Sequence, residues 1–225
     1  SGPRIEDIGE LGSHIFGVDA ESISTEDSPV FNLTYSISKE ENKYYFKQYC
    51  SLTENPICKL IDNTENILGY GKKKYDDNYL KCLLYWVEHI GKDEQNIIFA
   101  PTSATARKIA CYLAKDNKKS EKNTELIEYY SKTVHEKYSL CQTLQSGVAY
   151  HHGKLPMHVR RTLEKAIAEK NITNVACTTT LMQGVNMPAQ NVIVRNPHLY
   201  LKKTDSSVEL SNYEMANLRG RAGRL

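Results

Sequence analysis

GVAYHHGKLPMHVRRTLEKAIAEKNITNVAC, Gly147 to Cys177, decides the fold. Its first residues, GVAYHH, read as a strand. Pro156 then sits at a helix start, where its missing N–H costs nothing and its fixed φ is already helical. Val159, Leu163, Ala166 and Ile167 follow at helical spacing and make one apolar stripe. TNVAC, Thr173 to Cys177, is a second strand. Strand, helix and strand in this order predict a βαβ unit, and so a parallel sheet.

The alternation continues on both sides of this unit. Leu80, Leu83, Leu84, Val87 and Ile90 make a helical stripe that Gly91 ends, and NIIFA, Asn96 to Ala100, is the next strand. PTSATARKIACYLA gives a helix with Ala106, Ile109, Ala110 and Leu113 inward. The polar segment Asp116 to Glu125 reads as a solvent-exposed loop, and one helix or a pair runs from about Leu126 to Leu144. NVIV, Asn191 to Val194, supplies a further strand. The fold class is therefore α/β, a parallel sheet with helices on both faces. The earlier part is less regular: Ile5, Ile8, Leu11 and Ile15 suit a short helix, Pro29 to Ile37 alternates like a strand, and a polar stretch leads on to Ile61.

Composition narrows the class little. The 225 residues carry 29 Lys and Arg against 27 Asp and Glu, a net charge of +2, so charge gives no independent sign of a nucleic-acid partner. Local clusters at Lys72 to Lys74 and at Arg160 with Arg161 remain able to form patches. No apolar run approaches the roughly eighteen residues of a membrane span, and no secretory leader opens the chain, so a cytoplasmic location is expected, or nuclear in a eukaryote. The six cysteines show no C-x-x-C pair, which favours reduced buried thiols over a metal site or a disulfide framework.

Parallel sheets bind ligands at the carboxyl ends of their strands. Four polar segments fall there: Pro101 to Thr105, His151 to Lys154, Thr178 to Pro188, and the terminal NLRGRAGRL, Asn217 to Leu225. Thr178 to Thr180 offer hydroxyls and backbone N–H groups to an anionic backbone, contacts that position a nucleic acid without reading its sequence. Gly184 and Pro188 bracket a turn holding Asn186. In the last segment Arg221 and Arg224, three apart, share a face if the chain winds helically, and Arg219 points elsewhere. Gly220 and Gly223 suit close approach of another backbone or a ligand, and a guanidinium fits phosphate or carboxylate in a bidentate manner.

ACTTTLMQGVNMPAQNVIV with NLRGRAGR resembles motifs V and VI of the superfamily 2 nucleic-acid helicases, in their Ski-like DExH branch. AYHHGKLPMHVRR looks like that branch's HHxGL segment with its following arginine, and NIIFAPTSATARKIACYLA like motif IV. SGPRIEDIGELGSHIFG is similar to motif III and its helix. Two positions depart from the family strings: Asn217 stands for glutamine in motif VI, and Gln183 for glutamate in motif V.

The resemblance implies a RecA-like sheet and a division into residues 1–37 as the tail of a first RecA-like domain, 38–77 as a connector or β-hairpin insertion, and 78–225 as the second RecA-like domain. Family members bind ATP with Mg²⁺ between two such domains. This sequence holds no G-x-x-x-x-G-K-[ST] and no D-E-x-H, so the fragment alone is expected to hold no cofactor or metal and to be inactive. Arg221 and Arg224 match the arginine fingers of motif VI, and Gly184 and Asn186 the nucleotide-side positions of motif V. Thr178, Thr179, His152, Gly153 and Arg160 match phosphate grips on DNA or RNA, as do Ser103 and Arg107 of motif IV. The substrate expected is a single strand held without sequence preference, and the missing first domain is an expected partner. The abrupt end after Arg224 suggests that C-terminal modules have been cut away too.

Two other readings use the same residues. One is a non-catalytic nucleic-acid-binding module with a degenerate helicase fold, against which the paired fingers count. The other is an unrelated α/β enzyme with a small-molecule ligand, whose binding would be insensitive to salt.

Overall fold

The computed structural model describes residues 33–41, 43–49, 55–61, 77–89, 91–179, 189–195, 198–201, 206–210 and 218. Its centre is a four-stranded parallel sheet of β4 (Asn96–Phe99), β5 (Val148–His151), β6 (Asn174–Cys177) and β7 (Asn191–Ile193), in the order β5-β6-β4-β7. Before it lies a three-stranded antiparallel sheet, β1 (Thr34–Glu40), β2 (Lys43–Tyr49) and β3 (Ile57–Leu60). After it comes an antiparallel pair, β8 (His198–Leu201) and β9 (Ser206–Glu209). The helices are α1 (Asp77–His89), α2 (Ser103–Asp116), α3 (Thr124–Thr133), α4 (Ser139–Leu144) and α5 (Met157–Ala168). None of the described helices is long and apolar enough to cross a membrane.

Every residue of β4, β5 and β6 is buried. Successive side chains of a strand point to opposite faces, so both faces of the sheet are covered, as the expected α/β architecture requires. The larger core joins Ile97 and Ile98 to the inward stripes of the helices: Leu80, Leu83 and Val87 of α1, Ala106, Ile109, Ala110 and Leu113 of α2, and Val159, Leu163, Ala166 and Ile167 of α5. Each large aliphatic side chain removed from water here contributes about 1.5–3 kcal/mol. Phe99 belongs to a second cluster with Leu210 and Leu218. Tyr130 of α3 is fully buried and its hydroxyl donates to the Val159 carbonyl at 2.9 Å, which ties α3 to α5.

Three expectations need amending. The segment 116–125 is not wholly solvent-exposed, because it contains a 3-10 turn, Glu121–Asn123, that ends in a buried asparagine. Asn123 Nδ2 donates to the carbonyls of Leu144 at 3.2 Å and Asn171 at 3.1 Å, so its amide stitches two other connections together and has its own donors satisfied. Strand β1 runs through residue 37 and pairs along its length with β2, so the hairpin begins before residue 38. Of the described cysteines, Cys82, Cys141 and Cys177 are buried and Cys111 is half-buried, but Cys58 on β3 is exposed. The expected short helix between Ile5 and Ile15 lies outside the described residues, as do Lys72 to Lys74. The small sheet meets α1 through aromatic stacking: Phe46 lies 5.6 Å from Trp86 at 15°, and Tyr35 lies 5.1 Å from Phe46.

Candidate nucleic-acid interface

Register brings the expected segments together. Phe99 of β4 and His151 of β5 both pair with Cys177 of β6, so three neighbouring strands end level. The Ala100 N–H donates to the Cys177 carbonyl at 2.7 Å, and the Thr178 N–H to the His151 carbonyl at 3.1 Å. The loops that follow therefore leave side by side from one edge. The connection after β4 leads across β6 to β5, whereas the one after β6 leads back across β4 to β7. Opposed exits of this kind mark the usual ligand position in open parallel sheets, outside the carboxyl ends of the strands.

On the β4 side, Thr102 is taken up by capping. Its Oγ1 accepts from the Thr105 N–H at 3.1 Å, which starts α2 and leaves Ser103 as the first helical residue. Ser103 is half-buried, and Arg107, one turn on along the same face, is exposed. The uncapped N–H groups of this turn and the helix dipole favour an anion here.

On the β5 side, the His152 ring stacks on Tyr150 at 5.6 Å and 18°, and the Tyr150 hydroxyl shares a 2.8 Å hydrogen bond with Ser139 Oγ. Gly153 is exposed. Burial holds the His152 imidazole below the usual histidine range, with the neighbouring His151 and the charges of Lys154 and Arg107 acting in the same direction. Arg107 of α2 thus acts electrostatically on the loop after β5. Arg160 is half-buried on α5, and Thr178 and Thr179 are half-buried after β6. Ser103, Arg107, His152, Gly153, Arg160, Thr178 and Thr179 accordingly come from segments that converge on one edge. Among the described residues no His, Cys, Asp and Glu group could hold a metal ion.

Gly184, Asn186, Arg221 and Arg224 lie outside the described residues. Leu218, in the arginine-bearing stretch, is buried with Phe99, the last residue of β4.

His151, expected to open the polar segment at the ligand edge, instead turns into the core, and Glu164 meets it there. His151 is fully buried, with Nε2 2.9 Å from Glu164 Oε1 on α5. A carboxylate only accepts, so Nε2 carries the proton. Burial pushes the His151 imidazole below its usual range against the pull of Glu164. The available signal was position: His151 closes the buried strand β5, whereas His152 begins the loop after it.

No family profile matches the chain. Among curated proteins, a Helicase POLQ-like protein of Caenorhabditis elegans is 33% identical over 136 residues, covering 56% of this chain and 14% of its own length. The human Helicase POLQ-like protein is 26% identical over 229 residues, 94% of this chain and 20% of its own length. An ATP-dependent DNA helicase Hel308 of Methanococcus vannielii is 25% identical over 197 residues, 85% of this chain and 23% of its own length. The chain spans less than a quarter of each of these relatives. Together with the parallel sheet, these matches make the chain a homologue of the Hel308 and POLQ-like helicases of superfamily 2.

Proposed function

We propose that this chain is the second RecA-like half of an ATP-dependent DNA helicase or translocase, grips the phosphates of a single strand along the carboxyl edge of β4, β5 and β6, and supplies arginine fingers. One observation carries the reading: the strand ends at Phe99, His151 and Cys177 are level, and the helicase-like segments leave from that common edge. Homology to proteins named as helicases supports the class, and the name of the Hel308 relatives supports DNA over RNA. In this reading residues 1–37 belong to a first RecA-like domain, 38–77 form a connector or hairpin insertion whose first strand, β1, already starts at Thr34, and 78–225 form the second domain. The protein works in the cytoplasm, or in the nucleus of a eukaryote.

Ser103, Arg107, His152, Gly153, Arg160, Thr178 and Thr179 act on phosphate oxygens, through hydroxyls, backbone N–H groups and guanidinium forks. Gly184, Asn186, Arg221 and Arg224 would face ATP bound with Mg²⁺ on the partner domain. Arginines at such a site stabilise the charge of the transferred phosphoryl group, an effect of about 10³–10⁵ in rate. The partner domain would supply the phosphate loop, and the fragment alone would be inactive.

The test joins this chain to a RecA-like domain carrying a phosphate loop and an acidic motif. DNA-stimulated ATP hydrolysis is expected, with Arg224→Ala lowering kcat at least a thousandfold while DNA binding persists. Full hydrolysis by Arg224→Ala would remove the finger assignment. Binding to DNA that does not weaken with salt would remove the phosphate grips and favour a small-molecule enzyme.

A further inference from the structure

His151 stands where three candidate grips meet, although its own side chain faces inward. Its backbone carbonyl accepts the Thr178 N–H at 3.1 Å, which fixes the exit of the threonine run from β6. Its ring reaches Glu164 of α5, one helical turn beyond Arg160 on the same face. Its chain neighbour is His152, the first residue of the loop that reaches Gly153. One residue thus links the end of β5, the start of the segment after β6 and the helix bearing Arg160. The imidazole has no room to swing, being fully buried, and Glu164 is itself mostly covered.

We propose that His151 and Glu164 form a positioning pair that holds Thr178, the His152–Gly153 loop and Arg160 in one register for binding a phosphate backbone. The proposal rests on the nucleic-acid reading above. Neither side chain of the pair touches the strand. Both act through the geometry of the groups that do, since phosphate contacts lose affinity steeply when their donors drift apart.

The experiment measures binding of the full chain to a fluorescein-labelled oligo-dT across a salt series, beside thermal melting. His151→Leu fills the volume and removes the hydrogen bond, whereas His151→Gln places an amide N–H where Nε2 stands. At a temperature where all proteins are folded by circular dichroism, His151→Leu is expected to bind about tenfold more weakly with a shallower salt dependence. His151→Gln is expected within about twofold of wild type. A purely structural role would lower the melting temperature of His151→Leu and leave the affinity of the folded protein alone, and that result would overturn the proposal. Should His151→Leu fail to fold, Glu164→Ala, at a partly exposed helical site, carries the same comparison with Glu164→Gln as its rescue. Equal affinity of Glu164→Ala and wild type would likewise overturn it. No salt-sensitive binding by the wild type would instead remove the nucleic-acid reading, and the pair's role with it.

Discussion

Asn96 Nδ2 donates to Asn174 Oδ1 at 2.9 Å, across the first rung of the β4–β6 pairing. Asn191 completes the row from the other side, its Nδ2 donating to Asn96 Oδ1 at 2.9 Å and to Glu94 Oε2 at 2.6 Å. Three adjacent strands thus open on hydrogen-bonded asparagines at the amino edge, away from the candidate interface. Asn96→Leu leaves Asn174 Oδ1 without its donor in a buried place and takes a donor from the Gly91 carbonyl, whereas Asn191 keeps Glu94. A loss of about 3 kcal/mol is expected, measured by urea unfolding, because unsatisfied buried polar groups cost about 1–3 kcal/mol each. Oligonucleotide affinity of the folded variant is expected to stay unchanged.

Gly91 ends α1 against the same asparagine: its carbonyl accepts from Asn96 Nδ2 at 2.9 Å, and a Cβ placed on it would run into the Asn96 amide. Gly91→Ala must therefore displace Asn96 from its row. A destabilisation of about 1–3 kcal/mol is expected from overpacking. Combining it with Asn96→Ala should restore part of the loss, since the smaller side chain removes the clash. Additive losses in the double variant would show that Gly91 and Asn96 are not coupled.

The parallel sheet was legible because its strands are short apolar runs set between striped helices, a pattern of local period. Strand order was not, since β4 pairs with β6 and β7 through contacts about eighty and ninety-five residues apart that no period records. The asparagine row did leave a trace, for NIIF, NVAC and NVI each begin with asparagine. That trace acquires meaning only once the register aligns them. Asn123 was misread because a polar residue in a lysine-rich segment is usually solvated, and only the carbonyls of Leu144 and Asn171 explain its burial. At the candidate interface, the level strand ends followed from the strand positions. The buried half of the histidine doublet needed its partner Glu164, which the sequence alone did not single out.

The two histidines predict an acid-sensitive fold. Burial lowers both imidazoles below their ordinary value of 6.5. Around His151 the charges are Glu164, which opposes the lowering, and Arg160, which reinforces it. Around His152, Lys154 and Arg107 reinforce it. The unfolded chain therefore binds these protons at higher pH than the native one. Stability from this source is intact above about 6.5, declines as pH falls below that, and levels off once the folded-state values are passed. Urea unfolding at pH 7.5, 6.5 and 5.5 checks it. Replacing both residues by glutamine should flatten the dependence over this interval, and an unchanged slope would assign it to other groups.

Arg107 tests the candidate interface without disturbing the core, because it is exposed on the first turns of α2. If its guanidinium meets one phosphate, Arg107→Ala releases one fewer condensed counterion on binding. The slope of log affinity against log salt should then shallow by about 0.7 for a single strand. The loss of affinity should be about equal for oligo-dT and for mixed sequences, since a phosphate contact reads no base. Thermal stability should move little, as an exposed side chain seldom shifts it by more than about 0.5 kcal/mol. A changed affinity with the wild-type salt slope would mean that Arg107 acts on the loop of His152 rather than on the strand, the two residues already being in electrostatic reach of one another.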